Sequence, residues 1–331
     1  MLTVLIYTYA VVFTKDVGDG VRMATERCIN IIIPSLFIYM IMSAFITETG
    51  IYKFLFKPLK HLSKHIFAVP CELFFVFVLG NICGYPIGIK LLDDLYSESR
   101  IDLKTAKCLS CSCYGGGPSF LISIVGTALY NDESIGLVIF LSCLLSNAAL
   151  AIILNRVYKP QIYGIDSQLK KPDIISIISG SAKGIFKICA VIIAFSFVST
   201  TLDSLSFMPS GSIGVAIKSA FEITNLTQLT APNTKLLPLI AALSSFGGLC
   251  IILQLKAIAR LTLKPILLSR IIACPLSALF CFAFTKIFGI KSAVYTASFN
   301  ITHTDISVFG LVLTVILAVF FIFTQENKKR A

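Results

Sequence analysis

Tryptophan is absent from this 331-residue sequence, and histidine occurs only three times. Aromatic anchoring at a membrane surface therefore falls to tyrosine and phenylalanine. Charge is scarce as well: 14% of the residues are Asp, Glu, Lys or Arg, against about 25% in a soluble domain. The histidines, His61, His65 and His303, sit in polar stretches. No second Cys or His pair at zinc spacing joins "CLSCSC" (Cys108, Cys111, Cys113), so neither a metal nor a cofactor is expected. The other cysteines fall mostly in apolar runs, where a thiol packs as a small hydrophobe. Met1–Phe13 lacks a basic leader and a small-residue cleavage site, so no cleavable signal is expected. No nucleophile–base pair is apparent at membrane depth, which argues against an enzyme.

Apolar residues are what the chain has in excess: 56% of it, with a mean hydropathy of +0.88. The expected fold class is an all-α polytopic membrane protein. The net charge of +11 lies in short loops between apolar runs. That fits the positive-inside rule better than nucleic-acid binding.

A spanning helix needs about 20 mostly apolar residues. The runs Ile29–Thr47, Cys108–Tyr130, Ile135–Asn155, Lys183–Leu202, Leu236–Arg260, Leu268–Phe288 and Ile306–Thr324 qualify. Leu2–Phe13 is short, and either tilts across or lies flat at the interface. With it the count comes to about eight transmembrane helices. Two further runs read as re-entrant hairpins. Ile66–Tyr96 is interrupted by Gly80, Gly84, Pro86 and Gly88, and Ser212–Leu229 carries Glu222, Thr224 and Asn225 at its middle. Such backbone is tolerated at depth only inside protein or against a wet cavity. Cytoplasmic sides are marked by Lys53, Lys57, Lys60 and Lys64, by Arg156, Lys159, Lys170 and Lys171, by Arg260, Lys264 and Arg270, and by Lys328, Lys329 and Arg330. Asp132, Glu133 and Asp203 mark the other side, and both termini then fall in the cytoplasm. Lys53–Lys64, interleaved with Tyr52, Phe54 and Phe56, reads as an interfacial helix on anionic lipid.

The walk exposes a repeat of span, hairpin, interrupted span, span, starting at Ile29 and again, inverted, at Lys183. The expected organisation is an N-terminal helix and connector (1–28), a first repeat (29–158), a cytoplasmic linker (159–182), a second, inverted repeat (183–290), and a C-terminal helix with a basic tail (291–331). Inverted repeats with paired interrupted helices build secondary transporters, with substrate near the midplane. The breaks supply the candidate chemistry. Gly115, Gly116 and Gly117, then Pro118 and Ser119, end one helix and start another whose N-terminus suits an anion. Ser244, Ser245, Gly247, Gly248 and Gln254 form the matching break. The first hairpin offers Asn81, Gly84, Tyr85, Pro86, Gly88 and Lys90. Glycines also serve close helix packing; Glu222 suits a surface loop or a functional place in the membrane; Lys90 faces either a cavity or Asp93 and Asp94 at the hairpin foot.

The ordered set "IIIPSLFIYMIMSAFITETG", "GYPIGIK" with "DDLY", "GGGPSF", "FEIT" and "SSFGGLCIILQ" resembles the YlbJ-like sporulation integral membrane proteins, within the nucleoside-recognition or Gate domain group. The resemblance runs from about Gly20 to Phe288. The family's hairpin motif falls on Gly84, Tyr85, Pro86, Gly88 and Lys90, its acidic motif on Glu222 and Thr224, and its last motif on Phe246, Gly247, Gly248 and Gln254. Tyr114, Gly115, Asn225 and Cys250 depart from it. The resemblance implies transport during sporulation, with dipicolinate taken up across the outer forespore membrane as the substrate class. Two half-helix N-termini and Lys90 suit paired carboxylates. Glu222 suits proton or cation coupling, or acceptance of hairpin amides. A transporter of nucleosides or other neutral metabolites, and a non-transporting scaffold in spore assembly, remain open. Oligomeric state is not legible.

Overall fold

The computed structural model describes residues 14–52, 56–163, 171–203, 209, 211–229 and 233–290. All lie in one compact unit, Met1–Ala297. The expected helices at Leu2–Phe13 and Ile306–Thr324, together with Lys53, Phe54, Lys170, His303 and the basic tail, lie outside the described residues.

The described residues form helices and loops without strands. The connector expected before residue 29 is instead a helix, α1 (Thr14–Arg27), which runs through a wide turn at Cys28–Ile32 into α2 (Ile33–Thr49). Hydropathy misses α1 because "TKDVGDGVRMATER" is polar. The helix is stable because it packs along α8 (Ile174–Asp203), as α2 does too.

The first hairpin consists of α3 (Cys71–Ile82) and α4 (Tyr85–Ser97), packed against each other. Gly84 joins them at φ +99°, a conformation that a side chain resists. Pro86 then falls in the first turn of α4, where its missing amide costs nothing. Next comes α5 (Leu103–Ser110), capped by Asp102, whose carboxylate accepts the Thr105 amide at 2.7 Å. Asp102→Ala is expected to cost about 1 kcal/mol, the usual value of such a cap, measured by thermal unfolding in detergent. The chain leaves helix after α5 and regains it beyond Pro118 as α6 (Ser119–Leu129), a wide-turn helix. Thus the expected span Cys108–Tyr130 is two pieces.

α7 (Glu133–Tyr158) is 26 residues long and starts at Asp132, which accepts the Ser134 amide at 2.9 Å. The second hairpin departs from expectation. Its first limb is α9 (Ser212–Phe221), but after Glu222 the chain makes a 3₁₀ segment, Ile223–Gln228, instead of a second full limb. Asn225 terminates it locally: its amide bonds the Lys218 carbonyl at 3.2 Å and its Oδ1 accepts from Gln228 at 3.1 Å. α10 (Leu237–Phe246) and α11 (Leu249–Ile258) are parted by Gly247 and Gly248, both at positive φ, and α12 (Lys264–Ile287) closes the described chain.

Among the described residues, four stretches are long and apolar enough to cross a membrane: Glu133–Tyr158, Ile174–Thr200, Thr234–Ile258 and Lys264–Ile287. Lys57–Ile66 and Cys71–Ile82 would make a fifth if their 92° bend is one broken crossing. In place of the expected span Ile29–Thr47 the structure has an apolar helix, Leu36–Thr49, shorter than a crossing needs. α12 begins before Arg270, so that residue lies within a helix long and apolar enough to cross a membrane, not in the loop before it. Outward apolar residues such as Ile175, Phe186, Ile153 and Ile271 are what a lipid-facing surface requires. α7 packs on α6, α10 and α12, and α8 packs on α2 and α11.

Candidate functional site

The helix breaks meet. A methyl on Gly117 would lie 2.9 Å from the Ile82 carbonyl and 3.3 Å from the Gly84 nitrogen; one on Gly116 would lie 2.8 Å from the Tyr85 hydroxyl. A methyl on Gly248 would lie 3.1 Å from the Phe221 carbonyl, beside Glu222. Both hairpins and both interrupted helices therefore share one centre. Tyr85 stitches across it: its hydroxyl donates to the Ser244 carbonyl, and its ring lies 5.1 Å from that of Tyr114, tilted by 53°. The Tyr114 hydroxyl donates to the Phe246 carbonyl at 2.7 Å.

A cavity of about 70 Å³ opens at this centre. Of the residues expected from sequence, Gly84, Tyr85, Pro86, Gly117, Ser119, Glu222, Thr224 and Gln254 line it, with α2 and α8 adding an apolar wall that includes Leu36, Tyr39 and Ile188. The N-termini of α4 and α6 thus both reach the cavity, each bringing a positive dipole end.

Glu222 is 5% exposed, which excludes the surface-loop alternative. Its carboxylate accepts the Thr224 amide at 3.0 Å and the Thr224 hydroxyl. Arg27, from the end of α1, donates to the Thr224 Oγ1 at 2.9 Å and lies 3.4 Å from the Glu222 carboxylate. The Arg27 side chain is absent from the sequence expectation because it sits in the stretch read as connector. Gln254 donates to the Cys250 thiol at 3.3 Å.

The remaining expected residues lie outside the cavity lining. Lys90 pairs with Asp94 at 2.7 Å and its side chain is 39% exposed, which places it at the hairpin foot. Asp93 turns inward to accept the Arg260 amide at 2.8 Å. Gly88 lies against Gly80 and Cys113. Asn81, Gly115, Gly116, Pro118, Asn225, Ser244, Ser245, Gly247 and Gly248 surround the centre without being part of the wall.

Arg270 is the second residue that sequence expectation misplaces. It is 2% exposed, and among the described residues no carboxylate pairs with it. Its guanidinium donates to the Cys111 carbonyl, to the Ser245 carbonyl at 3.2 Å and to Asn147 Oδ1 at 3.1 Å, and lies 5.1 Å from the Tyr114 ring centre. Cys111 and Ser245 are at the C-terminal ends of α5 and α10, where carbonyls lack helical partners and the dipole is negative. Asn147 also donates to Asn81 at 2.7 Å and to the Tyr114 carbonyl at 2.8 Å. The breaks therefore present two faces: carbonyl ends to Arg270, and the amide end of α6 to the cavity.

No family model and no solved structure matches the chain. The chain is similar to the "Sporulation integral membrane protein YlbJ" of Bacillus subtilis (strain 168), with 27% identity over 126 residues. The match covers 38% of this chain and spans about a third of that protein's own length, 31%. The similarity and the long apolar helices agree on a multi-pass integral membrane protein resembling a sporulation protein.

Proposed function

We propose that the chain is a permease for a small organic anion in sporulation, with dipicolinate as the substrate class. The observation that carries this reading is a cavity bordered by two helix N-termini and both hairpins, with Glu222 in its wall and Arg27 paired to Glu222 from outside the lining. The finer architecture belongs to the same proposal: two inverted Gate-type repeats, 29–158 and 183–290, with both termini cytoplasmic. In that scheme α2 corresponds to α8 and α7 to α12, and each of these pairs is in contact, as mates about a central axis would be. A water-sized group needs about 10–15 Å³ on this measure. The cavity of about 70 Å³ then holds only a few, so binding requires the hairpin tips to part.

Lys90 has no substrate role in this version. Lys90→Ala is expected to leave uptake within about threefold of wild type, since an exposed ion pair is worth about 0–1 kcal/mol. Gln254, Thr224 and Ser119 in the wall favour a second reading, a neutral metabolite such as a nucleoside. Uptake of radiolabelled dipicolinate, nucleosides and dicarboxylates by proteoliposomes separates the two. Saturable entry of the anion alone supports the first reading. Entry of nucleosides alone supports the second, and no entry of any compound returns the scaffold alternative.

A further inference from the structure

The Arg27–Glu222–Thr224 cluster has a geometry suited to exchange. The Thr224 hydroxyl donates to Glu222 and accepts from Arg27 at 2.9 Å, whereas the direct Arg27–Glu222 approach is 3.4 Å. That is beyond the usual length of a charge-assisted hydrogen bond, about 2.7–2.9 Å. Glu222 does not depend on Arg27 for its place, because the Thr224 amide and hydroxyl already hold it. Arg27 is tethered less firmly to the carboxylate than to the hydroxyl, and it has further N–H groups available. A buried carboxylate left without a counter-charge is costly and takes up a proton instead.

We infer that Arg27 is the substrate's carboxylate-binding cation, and that the incoming carboxylate replaces Glu222 on it while Glu222 accepts one proton from solution. This rests on the permease reading above. The balance is simple: the guanidinium keeps its charge and changes partner, the substrate brings one negative charge to it, and one proton neutralises Glu222. Release on the far side returns the proton and restores the Arg27–Glu222 contact. A substrate with two carboxylates therefore travels with one proton through this site, its second carboxylate facing the α4 and α6 N-termini. Other titratable groups face Glu222 from every side. They are Cys28 on the α1–α2 junction, Tyr39 on α2, Cys83 and Tyr85 at the first hairpin tip, and Cys250 on α11, while Lys218 on α9 bonds Gln228 at 2.8 Å.

The test uses the full chain in proteoliposomes at clamped membrane potential, with labelled dipicolinate outside and a pH-sensitive dye inside. Wild type is expected to acidify the lumen as dipicolinate enters, with uptake rising as the outside is made acid. Glu222→Gln is expected to abolish the dipicolinate-driven acidification and to flatten the pH dependence to within about twofold, since the group that titrates is gone. Arg27→Ala is expected to lose at least about tenfold in uptake. The charge-balanced double variant Arg27→Ala/Glu222→Gln removes the buried unpaired carboxylate, so it guards against a folding defect and is expected to be as inactive as Arg27→Ala. Normal acidification by Glu222→Gln, or wild-type uptake by the double variant, overturns the inference. Dipicolinate uptake by wild type without proton entry overturns the inference but leaves the permease reading standing. No anion uptake by folded wild type removes both.

Discussion

Arg270→Met is expected to destabilise the protein by roughly 3 kcal/mol or more, because it strips three buried neutral acceptors of their donor. Met keeps the unbranched aliphatic stem but is shorter and lacks the guanidinium fork. What it removes is the donor set. The Cys111 and Ser245 carbonyls and Asn147 Oδ1 would lose their common partner, at about 1–3 kcal/mol for each buried group left unmade. The two carbonyls have no helical partner to turn to, because they lie where α5 and α10 end. Arg270→Lys is expected to fall between the two: it keeps the charge, but a compact ammonium cannot span the same acceptors as a planar fork. The measurement is the temperature at which the detergent-solubilised protein loses its monodisperse peak. An unchanged midpoint for Arg270→Met would show that the two breaks are held by something else.

Gly88→Val should be nearly as damaging, for a steric reason. A Cβ at Gly88 would stand 2.2 Å from the Cys113 carbonyl oxygen and 2.6 Å from the Gly80 Cα. Both neighbours are backbone, so neither can rotate away. Overpacking a core costs about 1–3 kcal/mol where side chains can adjust, and more is expected where they cannot. The α3–α4 hairpin would be levered off the first break, and with it Gly84 and Tyr85 off the cavity. Gly80→Val should behave alike. Gly180→Val supplies the contrast, since a Cβ there meets nothing within 4 Å. Comparable yields of folded protein from Gly88→Val and Gly180→Val would contradict this packing.

The sequence signals that proved legible are those in which backbone chemistry disfavours a continuous helix. Gly84 before Pro86, the triple glycine before Pro118, and Gly247–Gly248 each weaken a continuous helix, and each marks a break in the structure. Glu222 was legible as a carboxylate stranded in an apolar run. The basic residues at the centre were not. Reading every Lys and Arg as a loop marker places Arg270 in the cytoplasm, although it already lay inside the apolar run Leu268–Phe288. A charge within a span is itself the signal of a buried role. Asn147, inside Ile135–Asn155, carried the same signal. Arg27 gave none, because α1 is polar and owes its helix to packing on α8. Lys90 shows the opposite case. The motif left it open between a ligand and an ion pair at the hairpin foot, and Asp94 one turn away takes it, as i,i+4 geometry favours. The second hairpin could not be drawn from hydropathy, since the side-chain bonds of Asn225 and Gln228 decide its short return.

The central claim is that the shared cavity is the substrate's path. The most direct measurement is the initial rate of labelled dipicolinate entry into proteoliposomes carrying wild type or Ser119→Trp. Ser119 lies in the cavity wall at the start of α6, and an indole there fills much of the space. The account predicts saturable entry with wild type, above that of protein-free vesicles, and a fall to the protein-free rate with folded Ser119→Trp. Equal rates for the two proteins, or a wild-type rate no higher than that of empty vesicles, would contradict it.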